Sequence, residues 1–179
     1  MAESFLNSVT RAVGVVTSSS AGAVGVQTNL ITGISTTNVT VGDIVDNSNY
    51  LAGTKVSSIG VNSTTVDRDS TNETAASSQT IKYLGLTTAY TSASGVKSII
   101  IGGTFANNTT SEVELTVHLY DDSADLTPAI VSKIPVPNGS SFVLSDTGKT
   151  VMEEFDGIRV YCDTANAIDV QLGILKGVN

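Results

Sequence analysis

His118 and Cys162 are the only histidine and the only cysteine in this sequence of 179 residues, so a Cys-His pair would have to use both and a Ser-His mechanism would have to use the first. Their neighbours argue against a pair. Along Val113 to Tyr120 the apolar residues Val113, Leu115, Val117 and Leu119 alternate with Glu114, Thr116, His118 and Tyr120. In a strand such residues take opposite faces, which puts the imidazole on the watered side. The same rule turns Ile158, Val160 and Cys162 inward and Arg159 and Tyr161 outward. A solvated histidine and a buried structural cysteine are expected, on opposite sides of their sheets.

Carboxylates form three further groups. Asp121, Asp122 and Asp125 make the densest set of oxygen ligands, but the carbonyls and extra carboxylate that a calcium loop adds at fixed spacing have no counterpart here, and a solvated turn is expected. Asp46-Asn47-Ser48-Asn49 resembles the opening of an EF-hand loop, yet Leu51 stands where that loop requires glycine. Glu153, Glu154 and Asp156 could be paired acids for glycosidic cleavage, but the chain has no Trp to bind a sugar and they read as surface. There is no P-loop, dinucleotide fingerprint, CxxC or HExxH. No enzymatic activity, cofactor or metal is expected. Sequons at Asn38, Asn62, Asn72, Asn107, Asn108 and Asn138 are what a chain rich in Ser, Thr and Asn produces by chance.

Composition narrows the partners. A net charge of −8 leaves no basic patch for a phosphate backbone, and nine scattered Lys and Arg do not make an anchor for an anionic lipid surface. Neither nucleic acid nor membrane is expected as a partner. A single cysteine rules out an intramolecular disulfide. Residues 1–16 lack the basic and apolar segments of a signal peptide, so synthesis in a cytoplasm is expected.

The elements that must position these groups are strands. Aromatic residues are only 5% of the chain, so Val, Ile, Leu and Ala must build the core, with Ser, Thr, Asn and Gly in the turns. The fold class is all-β: an antiparallel β-sandwich, jelly-roll-like, preceded by a small β module and an N-terminal arm. The expected divisions are an arm over 1–17, the module over 18–85 and the sandwich over 86–179. In the arm, Phe5, Val9 and Val13 recur four apart, suiting a short amphipathic helix or an extended segment that orders on a neighbour. Phe5, Leu6, Val9 and Val13 are the expected docking side chains, and deleting residues 1–17 is expected to spare the fold.

Ser18 to Gly25 reads as a small-residue linker, followed by short strands near Leu30 to Ile34, Val39 to Val45, Thr54 to Ile59, Thr64 to Val66 and Thr80 to Leu84, with a loop over Asn72 to Ser78. Val96 to Tyr120 reads as two strands of a hairpin turned by Asn107 to Ser111, the element around which the sandwich is built. Further strands are expected near Ala129 to Ile134, Ser141 to Leu144, Lys149 to Glu153, Gly157 to Cys162 and Ile168 to Leu175. Turns are expected at Asn138-Gly139 and Thr147-Gly148. Pro135 and Pro137 confine their segment to an edge or bend.

Two stretches carry a resemblance. Ile31-Thr32-Gly33-Ile34, Val41-Gly42-Asp43-Ile44-Val45, Ala52-Gly53-Thr54-Lys55-Val56 and Thr65-Val66-Asp67 are similar to a small β module inserted in many virion proteins of tailed bacteriophages. Ile101-Gly102-Gly103, Ala106-Asn107-Asn108-Thr109, Val117-His118-Leu119-Tyr120, the segment from Ile134 to Ser141 and Ala165 to Val170 resemble a β-sandwich of phage structural proteins common in marine phages. The resemblance implies a non-enzymatic virion component, a homo-oligomer bound to capsid, neck or tail subunits as a decoration or head–tail protein. The alternative is a fibre module that binds host-surface glycans, for which Tyr50, Tyr90, Tyr120 and Tyr161 would be the exposed aromatic platforms.

Overall fold

The computed structural model describes residues 3–51, 53–144 and 149–178. The described residues form strands joined by turns and irregular segments, with no helix among them. The chain forms two compact units, one made of Met1–Gly14 with Thr87–Asn179 and the other of Val15–Leu86.

The first strand, β1 (Ser4–Val13), belongs to the larger unit. The smaller unit follows as β2 (Val15–Val24), β3 (Leu30–Thr32), β4 (Ile44–Asp46), β5 (Val56–Gly60), β6 (Ser63–Val66) and β7 (Ala76–Gly85). The larger unit resumes with β8 (Thr87–Thr91), β9 (Ser98–Asn107), β10 (Val113–Tyr120), β11 (Ala129–Val136), β12 (Ser141–Leu144), β13 (Val151–Met152), β14 (Gly157–Cys162) and β15 (Ile168–Lys176).

In the larger unit one sheet runs β1-β15-β9-β12, with β13 beside β9, and the other runs β11-β10-β14-β8. Every pairing is antiparallel. Chain direction and sheet membership alternate so that β8 to β9, β9 to β10, β11 to β12 and β14 to β15 each cross between sheets. This is the order of a jelly roll, and its core is the set of residues that face inward from both sheets. Phe105, Leu115, Val117, Ile158, Val160, Ile168, Leu172 and Ile174 are fully or almost fully buried there. Each such side chain contributes about 1.5–3 kcal/mol by leaving water.

Two expectations are corrected in this unit. The arm expected over 1–17 is not detached: Ser4 to Thr10 pair residue for residue with Lys176 to Val170, so β1 is the first strand of the jelly roll, Val15 to Thr17 open β2, and the sandwich is discontinuous in sequence. Spacing by four satisfies a strand as well as a helix, and the β15 ladder settles which forms. Nor are β9 and β10 a hairpin. They lie in different sheets, and the connection is an arch held by the buried side chain of Asn107. Its Nδ2 donates to the carbonyls of Ser111 and Val136, both at 2.8 Å, and of Pro137 at 3.2 Å. Its Oδ1 accepts from the Thr109 N–H and hydroxyl, each at 2.8 Å. Turn chemistry reverses the chain, but bonds distant in sequence decide which sheet receives it.

The smaller unit is a barrel. Its sheet runs β4-β7-β2-β3-β6-β5, and backbone bonds from Gly42 N to Val56 O (2.8 Å), Val45 N to Thr54 O (2.8 Å) and Val56 N to Asp43 O (2.9 Å) join the last strand to the first. These bonds close the order of strands into a ring. Ser18 to Gly25, expected as a linker, lies mostly within β2, the strand that pairs with both β7 and β3. Val15 pairs with Gly85, so the unit begins and ends on adjacent strands. Ile31, Val56, Val66, Ile81 and Tyr83 form its core. Tyr83 shares a 2.8 Å hydrogen bond with Thr64 inside it. The Tyr50 phenol, donating to Thr28 O at 3.2 Å, is pushed up to about 12, chiefly by burial.

Most of the remaining strands lie close to their expected places, β7 starting inside the expected loop at Ala76; the strand expected over Val39 to Val45 forms only at Ile44–Asp46, and β8 is a strand outside those expected from the sequence. Gly139 takes φ 65° in the turn after Pro137. Pro135 sits on β11, an edge of its sheet. The Thr147-Gly148 turn falls outside the described residues.

Candidate functional site

The groups with the most reactive chemistry are placed where they serve the fold. His118 is buried, not solvated: its Nδ1–H donates to Thr127 O at 2.9 Å and its ring stacks on Tyr161 at 5.5 Å. Alternation gave its face correctly, but the segment after β10 folds back and covers that face. Cys162 points from the other face of the same sheet into the core, where its thiol donates to Thr164 O at 3.0 Å and Val13 O at 3.4 Å. Burial, more than any charge, pushes that thiol up to about 11. A sheet separates the two groups, and the thiol is held in its unreactive form.

Each acidic group is engaged locally. Asp121 accepts from the Ala124 N–H at 3.0 Å and the Ser123 hydroxyl at 2.8 Å, bonds that in that order hold its carboxyl below the usual range. Asp122 accepts from the Tyr120 hydroxyl at 3.1 Å. Asp156 is buried and accepts from the backbone N–H of Asp122 and of Glu153, each at 2.9 Å, tying two turns together. Glu153 pairs with Lys97 at 2.9 Å, and Glu154 accepts from the Gly95 N–H. Among the described residues no three His, Cys, Asp or Glu side chains converge as a metal would require. The Asn47 side chain accepts from the Asn49 N–H at 2.9 Å, a local turn.

Three of the four tyrosines expected as exposed platforms are not exposed. Tyr50, Tyr90 and Tyr161 are buried, Tyr90 sharing a 2.8 Å bond with Ser98. Tyr120 remains half-buried, with the Arg159 guanidinium 3.5 Å from its ring centre.

What the larger unit does present is an apolar sheet surface. On the outer side of the β1-β15-β9-β12 sheet, register lines up Phe5, Leu175, Ile99 and Val151 across four strands, and Val9, Gln171, Thr104 and Val143 across another four. Phe5 is 81% exposed, Val9 67%, Val143 56% and Val151 55%. Between the rows lie Asn7, Gly173 and Gly102, and the missing side chains leave a depression of about 370 Å³ beside Phe5 and Ile101. Ile101 is the extra residue of a bulge in β9 and is also exposed. The charges at one end answer each other: Arg11 lies 3.6 Å from Asp169, whose other oxygen accepts from the Ala12 N–H at 2.9 Å. Such a surface can bind by burial and shape; it has no group poised for proton transfer.

The expected docking residues divide. Phe5 and Val9 stand on this outer surface, Leu6 packs against the core, and Val13 is wholly buried within it. The cause is a bulge between Thr10 and Val13, where Ala12 takes φ 57° and shifts the alternation by one residue. Ile99, Ile101, Val143 and Val151 were missed because their outward direction depends on the sheet order. No segment of helix among the described residues is long and apolar enough to cross a membrane. The chain matches no protein-family model and has no significant match among curated proteins or solved structures.

Proposed function

We propose that this chain is a non-enzymatic structural protein of a tailed-phage virion, docking on capsid or neck subunits through the outer surface of the β1-β15-β9-β12 sheet. The observation that carries the reading is that surface: Phe5, Val9, Ile101, Val143 and Val151 form an exposed apolar field on a rigid sheet. A lone soluble domain rarely leaves such a field open, whereas a subunit built to sit among neighbours needs one. The jelly roll, with a closed barrel inserted between its first two strands, is an architecture suited to repeated docking. The resemblance of both stretches to phage virion proteins points the same way. The fibre reading loses support from the burial of Tyr50, Tyr90 and Tyr161.

The test is to quantify the chain in purified particles against the major shell protein by peptide mass spectrometry. Copies comparable to the shell mean decoration, and a small ring's worth means neck or tail. Absence from intact particles overturns the proposal. Ile101→Asp with Val143→Asp is expected to abolish incorporation while leaving the circular dichroism unchanged.

A further inference from the structure

We propose that two copies of this chain pair edge to edge through β1, antiparallel about a two-fold axis at Asn7, so that their β1-β15-β9-β12 sheets become one continuous sheet. The inference does not depend on the virion reading.

It begins with the edges. In the barrel the end strands β4 and β5 bond to each other, and the long β2–β7 ladder is broken by two register shifts. In the jelly roll, β11 carries Pro135 and a break at Lys133, which takes φ 48°. The other edges are short, β8 with five residues, β12 with four and β13 with two. Proline, bulges and shortness are the usual protections of an edge against another strand. β1 has none of them between Ser4 and Thr10: its ladder to β15 is regular, it contains no Pro or Lys, and its bulge comes after Thr10. It is also preformed, since the Ser8 hydroxyl donates to Ala89 O at 2.8 Å and ties the strand to the opposite sheet. Little order has to be gained on pairing.

Self-pairing has one variable, the residue on the axis, because facing residues must share a side of the sheet. With the axis at Asn7, Phe5 faces Val9 of the second copy and Glu3 faces Arg11 of the second copy, each twice by symmetry, and the two Asn7 amides face each other. With the axis at Leu6, Phe5 faces Asn7 and Glu3 faces Val9. With the axis at Ser8, Phe5 faces Arg11 and Asn7 faces Val9. Only the Asn7 register sets apolar against apolar and acid against base. The groups are available for it: Phe5 and Val9 are among the most exposed large apolar residues, and the Arg11 side chain is 83% exposed despite Asp169. The contact is isologous, so it closes at two copies.

Sedimentation of the full chain to high micromolar concentration is expected to show a dimer. Glu3→Lys is expected to weaken it about tenfold, since two attractive cross-strand pairs become repulsive. Glu3→Lys combined with Arg11→Glu is expected to restore it, which a merely structural role for either residue would not do. Asn7→Cys is expected to cross-link as a dimer under mild oxidation, with buried Cys162 left in place. Phe5→Cys, which faces Val9 and not itself, is expected not to. A chain that stays monomeric overturns the proposal, and so does a dimer that neither responds to Glu3→Lys nor cross-links through position 7.

Discussion

The thiol of Cys162 donates to the carbonyl of Val13 across 149 positions of sequence, at 3.4 Å. That bond marks the seam where the chain leaves the jelly roll. The same carbonyl accepts from the Ala167 N–H at 2.9 Å, and the next one, of Gly14, accepts from the Asn166 N–H at 2.6 Å. The end of β1 is thereby fixed to the turn that precedes β15.

Gly14 is the residue this seam cannot replace. It holds φ 103°, and a Cβ there would run into the Cys162 sulfur and the Thr164 carbonyl. Gly14→Ala is expected to lower stability by roughly 2–4 kcal/mol, from backbone strain together with overpacking. A urea midpoint measured at unchanged slope checks it; an unaltered midpoint would mean that the end of β1 is free to move.

The thiol itself makes stability depend on alkaline pH. Burial raises it from its ordinary 9.0 to about 11, so the unfolded chain ionises first. Below pH 9 both states keep the proton and the contribution is complete. As pH rises from 9 to 11 the unfolded state alone loses it, and about 2–3 kcal/mol of stability is lost. Urea titrations of the wild type and of Cys162→Ala across that window should show a shallower decline in the variant. Iodoacetamide at pH 8 is expected to label Cys162 only after unfolding.

Asn107 should be the most sensitive polar residue. Asn107→Ala removes the donor for three carbonyls and the acceptor for Thr109, and is expected to cost about 2–4 kcal/mol. Asn107→Asp is expected to be worse, since a carboxylate would face the same carbonyls. Chemical denaturation of both variants orders them; an innocuous Asp would show that the arch is held by other bonds.

Truncation separates a strand from an arm. Deleting residues 1–14 removes β1 with Val13 and Leu6 and bares the edge of β15. The jelly roll is expected to lose its cooperative transition in calorimetry. A truncated chain that still melts cooperatively would mean that β1 is an accessory to the sandwich.

Much of this fold can be read from the residues, and the misreadings have identifiable causes. Val113, Leu115 and Val117 face the core as their alternation requires, and β11, β12, β14 and β15 fall where apolar runs and turn residues place them. Val13 reads as a docking residue because period two and spacing by four agree until Ala12, an alanine with no tendency toward φ 57°, breaks the alternation. β2 is not legible in the sequence because Ser18 to Gly22 has no apolar signal, and it is the backbone ladder to β7 that makes it a strand. His118 is covered by a segment whose path depends on Asp121, Asp156 and the Pro128 carbonyl, none of which announces a fold-back. The exposed apolar field was half legible: Phe5 and Val9 are visible as apolar residues without a core, whereas Val143 and Val151 become its members only once β12 and β13 flank β9.

The pairing of Val15 with Gly85 also bears on how quickly the chain can fold. A flexible excursion between the first two strands of the jelly roll would raise the entropic cost of bringing them together, by about 3 kcal/mol relative to a two-residue connection. If the barrel forms first, it hands the chain back one strand away from where it received it, and that handicap disappears before the sandwich begins to assemble. The inserted unit then acts as its own staple, and the slow step becomes the long-range pairing of β1 with β15 from opposite ends of the chain.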